Sequence, residues 1–540
     1  MGKDNGELKE YQPLLKDFKE PAQQIKSLLL AICTAGIGGT FQYGYNISII
    51  NAPTKAVQNF INQTWTERYN TEISTQVLTL LWSTIVSIFT LGGLVGASVG
   101  GTLAIRFGRK GTLLFNNTFA LLAALFMGLS YPSGTFELLI IGRFLTGVNA
   151  GISSFQALYI GEIAPRALRG AMAMGTSIFI TGGILTVQVI GLNELLGKEY
   201  WPILLSTICI PAIMQLLTLP WFPESPRYLL IDRGDDECYA LCHFLSALMW
   251  FHGPDKYHGE KEDMERERVS AIGIKPKKPW ELFTDTSLRW QLLTRFVIHT
   301  SQQLNGINAI YFYADYVFTQ AGIPADKIPY ATVGTGACEC ITALTCVSLE
   351  FIITCANLFM TQRNKSSPWV PYLSMICVFA FILSFGLGPG GVTNILTTEM
   401  FTQTDRPAAY MIGGSINWIA FFFIGMIFPF IVVYMSTFFP FTHIHMYCFL
   451  VFLVICCLVA TYIFVVPETK NKTFWRFRAS FTLERSSLLP MVLRALYCPH
   501  RCKTHTQYTK HCIIKGFIIS VYLCMNVPEY LEMLNQKISL

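Results

Sequence analysis

The feature that most constrains this chain is a series of apolar runs, each long enough to cross a lipid bilayer as an α-helix. A helix rises about 1.5 Å per residue, so about 20 apolar residues span the hydrocarbon core. Runs of this kind occupy 28–50, 78–104, 111–130, 137–160, 171–195 and 201–222 in the first part, and 291–320, 329–360, 369–398, 408–436 and 446–466 in the second. Charged residues make up only 14% of the chain, about half the share in a soluble protein. We therefore predict an all-α integral membrane protein.

The polar segments between these runs predict the domain organisation. The predicted segments are an N-terminal tail at 1–26, an N-terminal helical bundle at 27–230, a linker at 231–289, a C-terminal bundle at 290–474 and a divergent tail at 475–540. The connector from Arg106 to Lys110 is basic, which favours a cytoplasmic position and places both tails and the linker in the cytoplasm. The stretch 51–76 then lies outside, where Asn62 of the sequon Asn62-Gln-Thr64 is a candidate glycosylation site. The expected location is the plasma membrane.

Several function classes conflict with the composition. The net charge of +6 resides in connectors and in the C-terminal tail, a pattern that sets membrane orientation and does not indicate nucleic-acid binding. The sequence contains no nucleotide-binding loop, and no polar segment is large enough for a catalytic core, so we expect neither an enzyme nor a cofactor. The tail contains Cys498, His500, Cys502, His511 and Cys512. Their spacing fits no standard zinc frame, so no metal is expected.

Amide side chains within the apolar runs are candidates for binding a neutral polar solute. Gln188 lies in the run 171–195 and Gln303 in the run 291–320. In the latter run Gln302, Asn305 and Asn308 are three residues apart, so they are expected to share one face of one helix. Amides both donate and accept hydrogen bonds, as a polyol requires. Hydrogen bonding between helices is the alternative explanation.

Charged residues at the predicted cytoplasmic ends of the runs repeat between the two halves. Glu162 and Arg169 in the first half correspond to Glu399 and Arg406 in the second. The complete set is Arg106, Arg109, Glu162, Arg169, Arg227, Glu399 and Arg406. A solvated rim would explain these charges, but we favour ion pairs between helices that close the inner side in one conformation. The repetition implies duplicated bundles with a pathway between them.

Several motifs occur in a fixed order between about residue 27 and residue 474. They are Arg106-Phe-Gly-Arg-Lys110, Gly142-Arg-Phe144, Tyr159-Ile-Gly-Glu-Ile-Ala-Pro165, Pro223-Glu-Ser-Pro-Arg227, Gln302-Gln-Leu-Asn-Gly-Ile-Asn308, Arg406-Pro-Ala-Ala409, Asn417-Trp418 and Pro467-Glu-Thr-Lys470. Together they resemble the facilitative glucose transporters, sugar porters of the major facilitator superfamily, and most of all the class II, fructose-type branch. The resemblance implies the major facilitator fold of two six-helix bundles and passive transport of a hexose.

The resemblance also implies roles for individual residues. Sugar contacts correspond to Gln188, Gln302, Gln303 and Asn308, and the outer-gate tyrosine corresponds to Tyr313. Two binding positions depart from the class I glucose carriers. Glu339 stands where those carriers have an asparagine, and Asn394 replaces a tryptophan.

The second half departs from the family in length. Only residues 331–368 separate Tyr330 from Trp369, which is too short for two full spans and a connector. We therefore expect about eleven spans, because part of the eighth and ninth helix region is missing. The tail beyond Phe474 also diverges, so a splice variant without transport activity stays an alternative.

The mechanism expected from these residues is uniport by alternating access. Proton-coupled relatives have a carboxylate in the first span, whereas the matching residue here is Asn46 and 28–50 contains no acidic residue. Glu339 alone keeps proton coupling open. Urate is a further alternative, ranked lower because no basic side chain is expected within the spans before Arg295. The expected partners are a hexose and the lipid bilayer without nucleic acid, and a homo-oligomer stays open.

Overall fold

The computed structural model of this chain describes residues 21–165, 169–196, 200–232, 239–253, 257–271, 279–285, 288–304, 307–320, 322–344, 372, 375–376, 378–379, 382, 400–401 and 405–438. Within these ranges the secondary structure is helical and contains no strand. The expectations for Asn305, Asn394, Glu399, the run 446–466 and the C-terminal tail lie outside the described residues.

The N-terminal half begins with short and long helices in alternation. In chain order they are α1 Pro21–Gly38, α2 Thr40–Ser48, α3 Thr54–Tyr69, α4 Thr75–Arg106, α5 Gly108–Ser130, α6 Glu137–Ser153, α7 Gln156–Ile163, α8 Arg169–Ile190, α9 Trp201–Ser206 and α10 Cys209–Thr218. The Ser74 hydroxyl accepts the Val77 N–H at 3.3 Å and caps the start of α4. Gly108 has φ +81°, a left-handed conformation that glycine adopts without strain, and it forms the turn into α5.

A 3₁₀ turn at Leu219–Trp221 and a π-helical turn at Tyr228–Asp232 lead into the second part of the chain. The helices that follow are α11 Tyr239–His252, α12 Tyr257–Ala271, α13 Pro279–Thr284, α14 Arg289–Leu304, α15 Ile307–Phe312, α16 Ala314–Gln320, α17 Ile328–Leu344 and α18 Arg406–Phe438. The linker expected to be merely hydrophilic therefore contains helices, and Phe244 and Leu248 of α11 pack beneath Tyr228.

Five helices among the described residues are long and apolar enough to cross a membrane. They are Thr75–Arg106, Gly108–Ser130, Glu137–Ile163, Trp201–Trp221 and Ala408–Ile427. Gly175–Ile190 is a shorter apolar helix of the same kind. Each coincides with a predicted run to within three residues at its N-terminal and C-terminal ends or lies inside one, while the expected total of about eleven spans stays a prediction.

Several predicted runs are divided where the sequence suggested one continuous helix. The run 28–50 forms α1 and α2, and 291–320 forms α14, α15 and α16. The first division occurs in a Gly38-Gly39 pair, and α15 and α16 are divided at Tyr313. Glycine is a weak helix former, so the Gly38-Gly39 pair is the weakest point of an otherwise apolar helix.

The two halves pack against each other along helices from both sides. α4 packs along α18, α8 packs along α17, and α2 reaches α15. Trp418 of α18 and Phe312 of α15 belong to the same buried cluster as Phe89 of α4 and Ile184 of α8. The structure therefore forms a continuous apolar core across the boundary between the halves.

Glycines allow α4 and α6 to approach until their backbones touch. A Cβ at Gly92 would overlap the Phe144 carbonyl, and one at Gly147 would overlap the Phe89 carbonyl. Small residues serve this purpose in lipid, where close backbone packing replaces the hydrophobic effect between helices. The glycine-rich stretch of the second run is therefore a packing surface.

Large apolar side chains remain exposed on the outside of the bundle. Leu125 of α5 is 54% exposed and Leu217 of α10 is 67% exposed. Such side chains would be unfavourable in water but suit contact with lipid tails.

Candidate functional site

Gln188 joins the two halves at the centre of the boundary between them. It is buried in α8, and its Nε2 lies 3.1 Å from the Ser48 hydroxyl and 3.3 Å from the Thr335 hydroxyl. Ser48 belongs to the N-terminal half and Thr335 to α17 of the C-terminal half. Gly336 makes this approach feasible, because a Cβ there would overlap the Gln188 side chain. Sequence reasoning selected Gln188 but missed both hydroxyl partners.

Amides of the C-terminal half hydrogen-bond to one another. Gln303 Nε2 donates to Asn417 Oδ1 at 2.7 Å, and Asn308 Nδ2 donates to Gln303 Oε1. Gln302 is half-buried in α14, Asn308 lies in α15 and Asn305 is outside the described residues. The expected row of Gln302, Asn305 and Asn308 on one helical face therefore stays a prediction.

Tyrosines of the C-terminal half contact the N-terminal half. The Tyr313 hydroxyl donates to the Gly425 carbonyl at 2.7 Å and lies beside Ser83 of α4. The Asn51 amide donates to the Tyr311 carbonyl. These contacts join the two halves, and Asn51 was not among the candidates found from the sequence.

Glu339 is buried one helical turn after Thr335 in α17, with 6% of its surface exposed. Its carboxyl group lies beside Tyr311 and near Tyr43. Tyr43 in turn packs edge-on against Trp418 with ring centroids 5.5 Å apart. The site therefore combines amides, hydroxyls, aromatic faces and one carboxyl group, and both halves contribute side chains to it.

A basic residue lies within an early span, contrary to the expectation that none precedes Arg295. Arg143 of α6 is fully buried, and its Nη1 donates to the Asn46 carbonyl at 2.9 Å. Its guanidinium lies over the Phe89 ring, 4.7 Å from the centroid. The carbonyl and the aromatic face partly compensate a cation that lipid alone would exclude. Arg143 is part of the motif Gly142-Arg-Phe144 within the run 137–160, so the expectation overlooked a residue that the sequence shows.

Of the charges predicted to lie at the cytoplasmic ends, Arg109 and Glu162 belong to a compact network within the N-terminal half. Arg109 donates from Nε and Nη2 to the Glu162 carboxylate at 3.0–3.2 Å, and the Ser225 hydroxyl donates to the same group. Glu224 accepts the Lys110 N–H at 3.0 Å. Burial raises the pKa of Glu224, while the N–H groups of Lys110 and Ser225 act in the opposite direction.

Other predicted members of the inner-face set are placed differently. Arg106 is exposed, with its guanidinium 5.8 Å from the Phe107 ring centroid. Arg227 is buried beside this network. The side chains of Arg169 and Arg406, like Glu399, lie outside the described part of the chain. The pairs expected in the second half therefore stay predictions.

The polar stretch 51–76 contains the helix α3, and Asn62 is exposed on its surface. Arg68 at the end of α3 pairs with Glu137 at 2.5 Å, which fastens α3 to the start of α6. Asn62 is therefore accessible, and its glycosylation stays a prediction. Among the described residues, no group of three or more His, Cys, Asp or Glu side chains could hold a metal ion.

Comparisons with known proteins agree with this arrangement. The family described as "Sugar (and other) transporter" matches residues 31–481. Human facilitated glucose transporter member 11 is 46% identical over 470 residues, covering 84% of this chain and 92% of that protein. Facilitated glucose transporter member 5 of Mus musculus is 42% identical over 488 residues, covering 87% of this chain and 95% of that protein.

Solved structures support the fold independently. The proton:xylose symporter XylE bound to 6-bromo-6-deoxy-D-glucose matches 85% of this chain and 100% of that chain. The match has a TM-score of 0.69 at 20% sequence identity. An inward open conformation of the xylose transporter XylE from E. coli matches with a TM-score of 0.62 at the same identity. These matches identify the major facilitator fold.

Proposed function

Because this chain belongs to the sugar transporter family, as a facilitated glucose transporter of the major facilitator fold, we propose that it is a passive hexose carrier. The chain is a multi-pass membrane protein and not an enzyme. The proposed substrate is fructose or glucose, moved across the plasma membrane by alternating access, with the N-terminus in the cytoplasm.

The observation that carries this proposal is the Gln188 contact between the halves. Its amide donates to Ser48 of the same half and, across the boundary, to Thr335. A sugar hydroxyl is chemically equivalent to these two hydroxyls, so a hexose can replace them as the partner of Gln188. Substrate binding and the separation of the halves would then use the same hydrogen-bonding groups.

The proposed mechanism is uniport because the residue at the proton-coupling position cannot titrate. Asn46 is buried in α2, and its amide donates to the Gln42 carbonyl at 2.8 Å. An amide neither gains nor loses a proton in the physiological range. Arg143 donates to the backbone carbonyl of Asn46. This contact holds the guanidinium in place although position 46 carries no carboxylate.

Uptake into vesicles containing the purified chain tests the proposal. Saturable uptake of labelled fructose or glucose is expected, with the same rate whether or not a proton gradient is imposed. Gln188→Ala is expected to raise KM about tenfold, since it removes one or two hydrogen bonds to the sugar. Gln63→Ala is the matched control, because that amide lies on the exposed surface of α3 and contacts only Glu67, at 2.9 Å.

Two results would contradict the carrier function or its proposed site. Absence of flux from correctly inserted protein would favour the transport-inactive variant. Unchanged hexose kinetics in Gln188→Ala would remove this amide from the site.

Proton coupling is the second candidate, and the buried carboxyl group of Glu339 favours it. This group lies beside Tyr311 at the boundary between the halves, where a change of protonation would alter the contacts of a moving surface. Uptake driven by an inward proton gradient, and lost in Glu339→Gln, would establish symport in place of uniport.

A further inference from the structure

The first apolar run is interrupted at Gly39, between α1 and α2. Gly39 has φ −110° and ψ −105°, outside the helical region. A break in a membrane helix releases backbone groups from the helical pattern, and lipid supplies no partners for them. The Gly39 N–H donates to the Gly36 carbonyl at 3.2 Å, and side chains of other helices bond the backbone of Thr34, Ala35 and Thr40.

Two buried glutamines contact the backbone at the break. Gln215 of α10 donates from Nε2 to the carbonyls of Thr34 and Ala35, at 3.1 and 3.0 Å. Gln156 of α7 accepts the Thr40 N–H at 2.5 Å. Gly38 and Gly39 make room for them, because a Cβ at either position would overlap Gln215 or Gln156 respectively.

Further amides connect these contacts to the other side of the break. Asn117 of α5 donates to Gln215 Oε1 at 2.7 Å, and Gln42 of α2 donates to Asn117 Oδ1 at 3.1 Å. We call Gln42, Asn117, Gln156 and Gln215 the joint amides. Gln215, Asn117 and Gln42 form a continuous path from the carbonyls of α1 through α10 and α5 to α2, and Gln156 contacts the start of α2 separately.

The helices on the two sides of the break share α8 as a neighbour but otherwise pack against different helices. α1 packs against α10, α7 and the linker helix α11. α2 packs against α8 and α6 and reaches α15 of the opposite half. α2 also carries Tyr43, which packs on Trp418, and Ser48, which contacts Gln188. The angle at Gly39 therefore determines how α2 meets the C-terminal half.

We propose that the joint amides are positioning residues, which fix the break in the first span and thereby the placement of α2 against the opposite half. They do not contact the sugar in this role. They stabilise the conformation in which α2 closes the boundary between the halves, and their loss lets α2 tilt about Gly39. This role rests on the proposed carrier function, since it acts on the conformational step of transport.

The direct test is Gln215→Met, which keeps the shape of the side chain and removes its hydrogen bonds. For a passive carrier, fewer competent molecules lower Vmax in both directions and leave KM unchanged. A shift between outward-facing and inward-facing states instead changes the ratio of the influx and efflux KM values. We expect that ratio to change about fivefold, the effect of one buried hydrogen bond.

A second measurement is independent of sugar flux. Ile47 of α2 is 4% exposed, so a cysteine in Ile47→Cys should be protected from a membrane-impermeant thiol reagent. Labelling of that cysteine is expected to rise several-fold when Gln215→Met is added. The chain has 16 cysteines, so labelling is read by peptide-resolved mass spectrometry.

Asn116→Leu is the matched control. Asn116 is the neighbour of Asn117, fully buried, and donates to the Asn149 carbonyl and the Ser153 hydroxyl, both at 3.0 Å, away from the break. It should change stability without changing the KM ratio or the labelling. If Gln215→Met does not reach the membrane, the KM ratio and the labelling are measured in Gln156→Met. Gln156 contacts the backbone on the other side of the break, so its loss is expected to have the same effect.

The outcomes separate this inference from the carrier function. Unchanged labelling and an unchanged KM ratio, in a variant inserted at the normal level, would overturn the positioning role. Absence of hexose flux in the unsubstituted chain would overturn the carrier function, and the labelling of Ile47→Cys would then decide the positioning role alone.

Discussion

At the scale of single residues, the pair Arg109 and Glu162 shows how charges are kept at a cytoplasmic helix end. Both side chains are almost fully buried, with 6% and 4% of their surfaces exposed. Burying an ion costs several kcal/mol, and the partner offsets this cost only while it is present. The contribution of each charged side chain to the stability of the protein therefore depends on the presence of the other.

Removing one member of this pair should be more harmful than removing both. Arg109→Met leaves the Glu162 carboxylate buried without its cation, which we expect to lower stability by about 3–5 kcal/mol. The double variant Arg109→Met with Glu162→Met should recover most of that loss. Thermal unfolding of the purified protein measures both effects. A double variant as unstable as the sum of the single variants would show that the two charges act independently.

The same scale shows what sequence reasoning could and could not find. Gln188, Gln303 and Asn308 were selected because amides are unusual in apolar runs and matched family motifs. Their partners Ser48, Thr335 and Asn417 were missed, because hydroxyls and amides of this kind are common and the pairing depends on how distant helices dock. Arg143 is visible in the motif Gly142-Arg-Phe144, but its contacts were not predictable, since they are a carbonyl and a ring in other helices.

At the scale of helices, hydropathy predicted where α4, α5 and α8 occur, because the length of the hydrocarbon core fixes the length of a spanning helix. It did not predict the break between α1 and α2. That break depends on Gln156 and Gln215, more than a hundred residues away in the chain. Hydropathy is a local property, whereas the partners that make a break tolerable are non-local.

The close packing of α4 against α6 gives a prediction for a single added methyl group. Gly96→Ala places a Cβ on the backbone carbonyl of Val148, which cannot move aside like a flexible side chain. We expect a loss of about 1–3 kcal/mol from overpacking. Gly161→Ala is the control, because nothing lies within 4 Å of its added Cβ, and alanine favours a helix over glycine. Equal unfolding temperatures for the two variants would contradict the close backbone contact.

At the scale of the whole molecule, the question is which contacts hold the two halves together on the outer side. Two polar contacts lie at the rim: Lys55 is 3.8 Å from Asp315, and the Tyr330 hydroxyl is 2.8 Å from Glu194. Lys55 is 70% exposed, and exposed pairs of this kind contribute at most about 1 kcal/mol. They can adjust the balance between conformations but cannot dominate it.

The buried aromatic cluster is the stronger contact, and Trp418 is its centre. Its ring lies 5.5 Å from Tyr43 and 5.6 Å from Phe89, both in the N-terminal half, and a Cβ on Gly93 would overlap it. Truncating a buried tryptophan costs about 3–5 kcal/mol, several times the value of a rim contact. Trp418→Ala should therefore lower the unfolding temperature and increase outside labelling of Ile47→Cys, whereas Tyr330→Phe should change hexose KM by less than about fivefold. A larger effect for Tyr330→Phe than for Trp418→Ala would mean that the rim, and not the aromatic core, closes the outer side. The reason is that the contact supplying most of the binding free energy between the halves sets which conformation is populated.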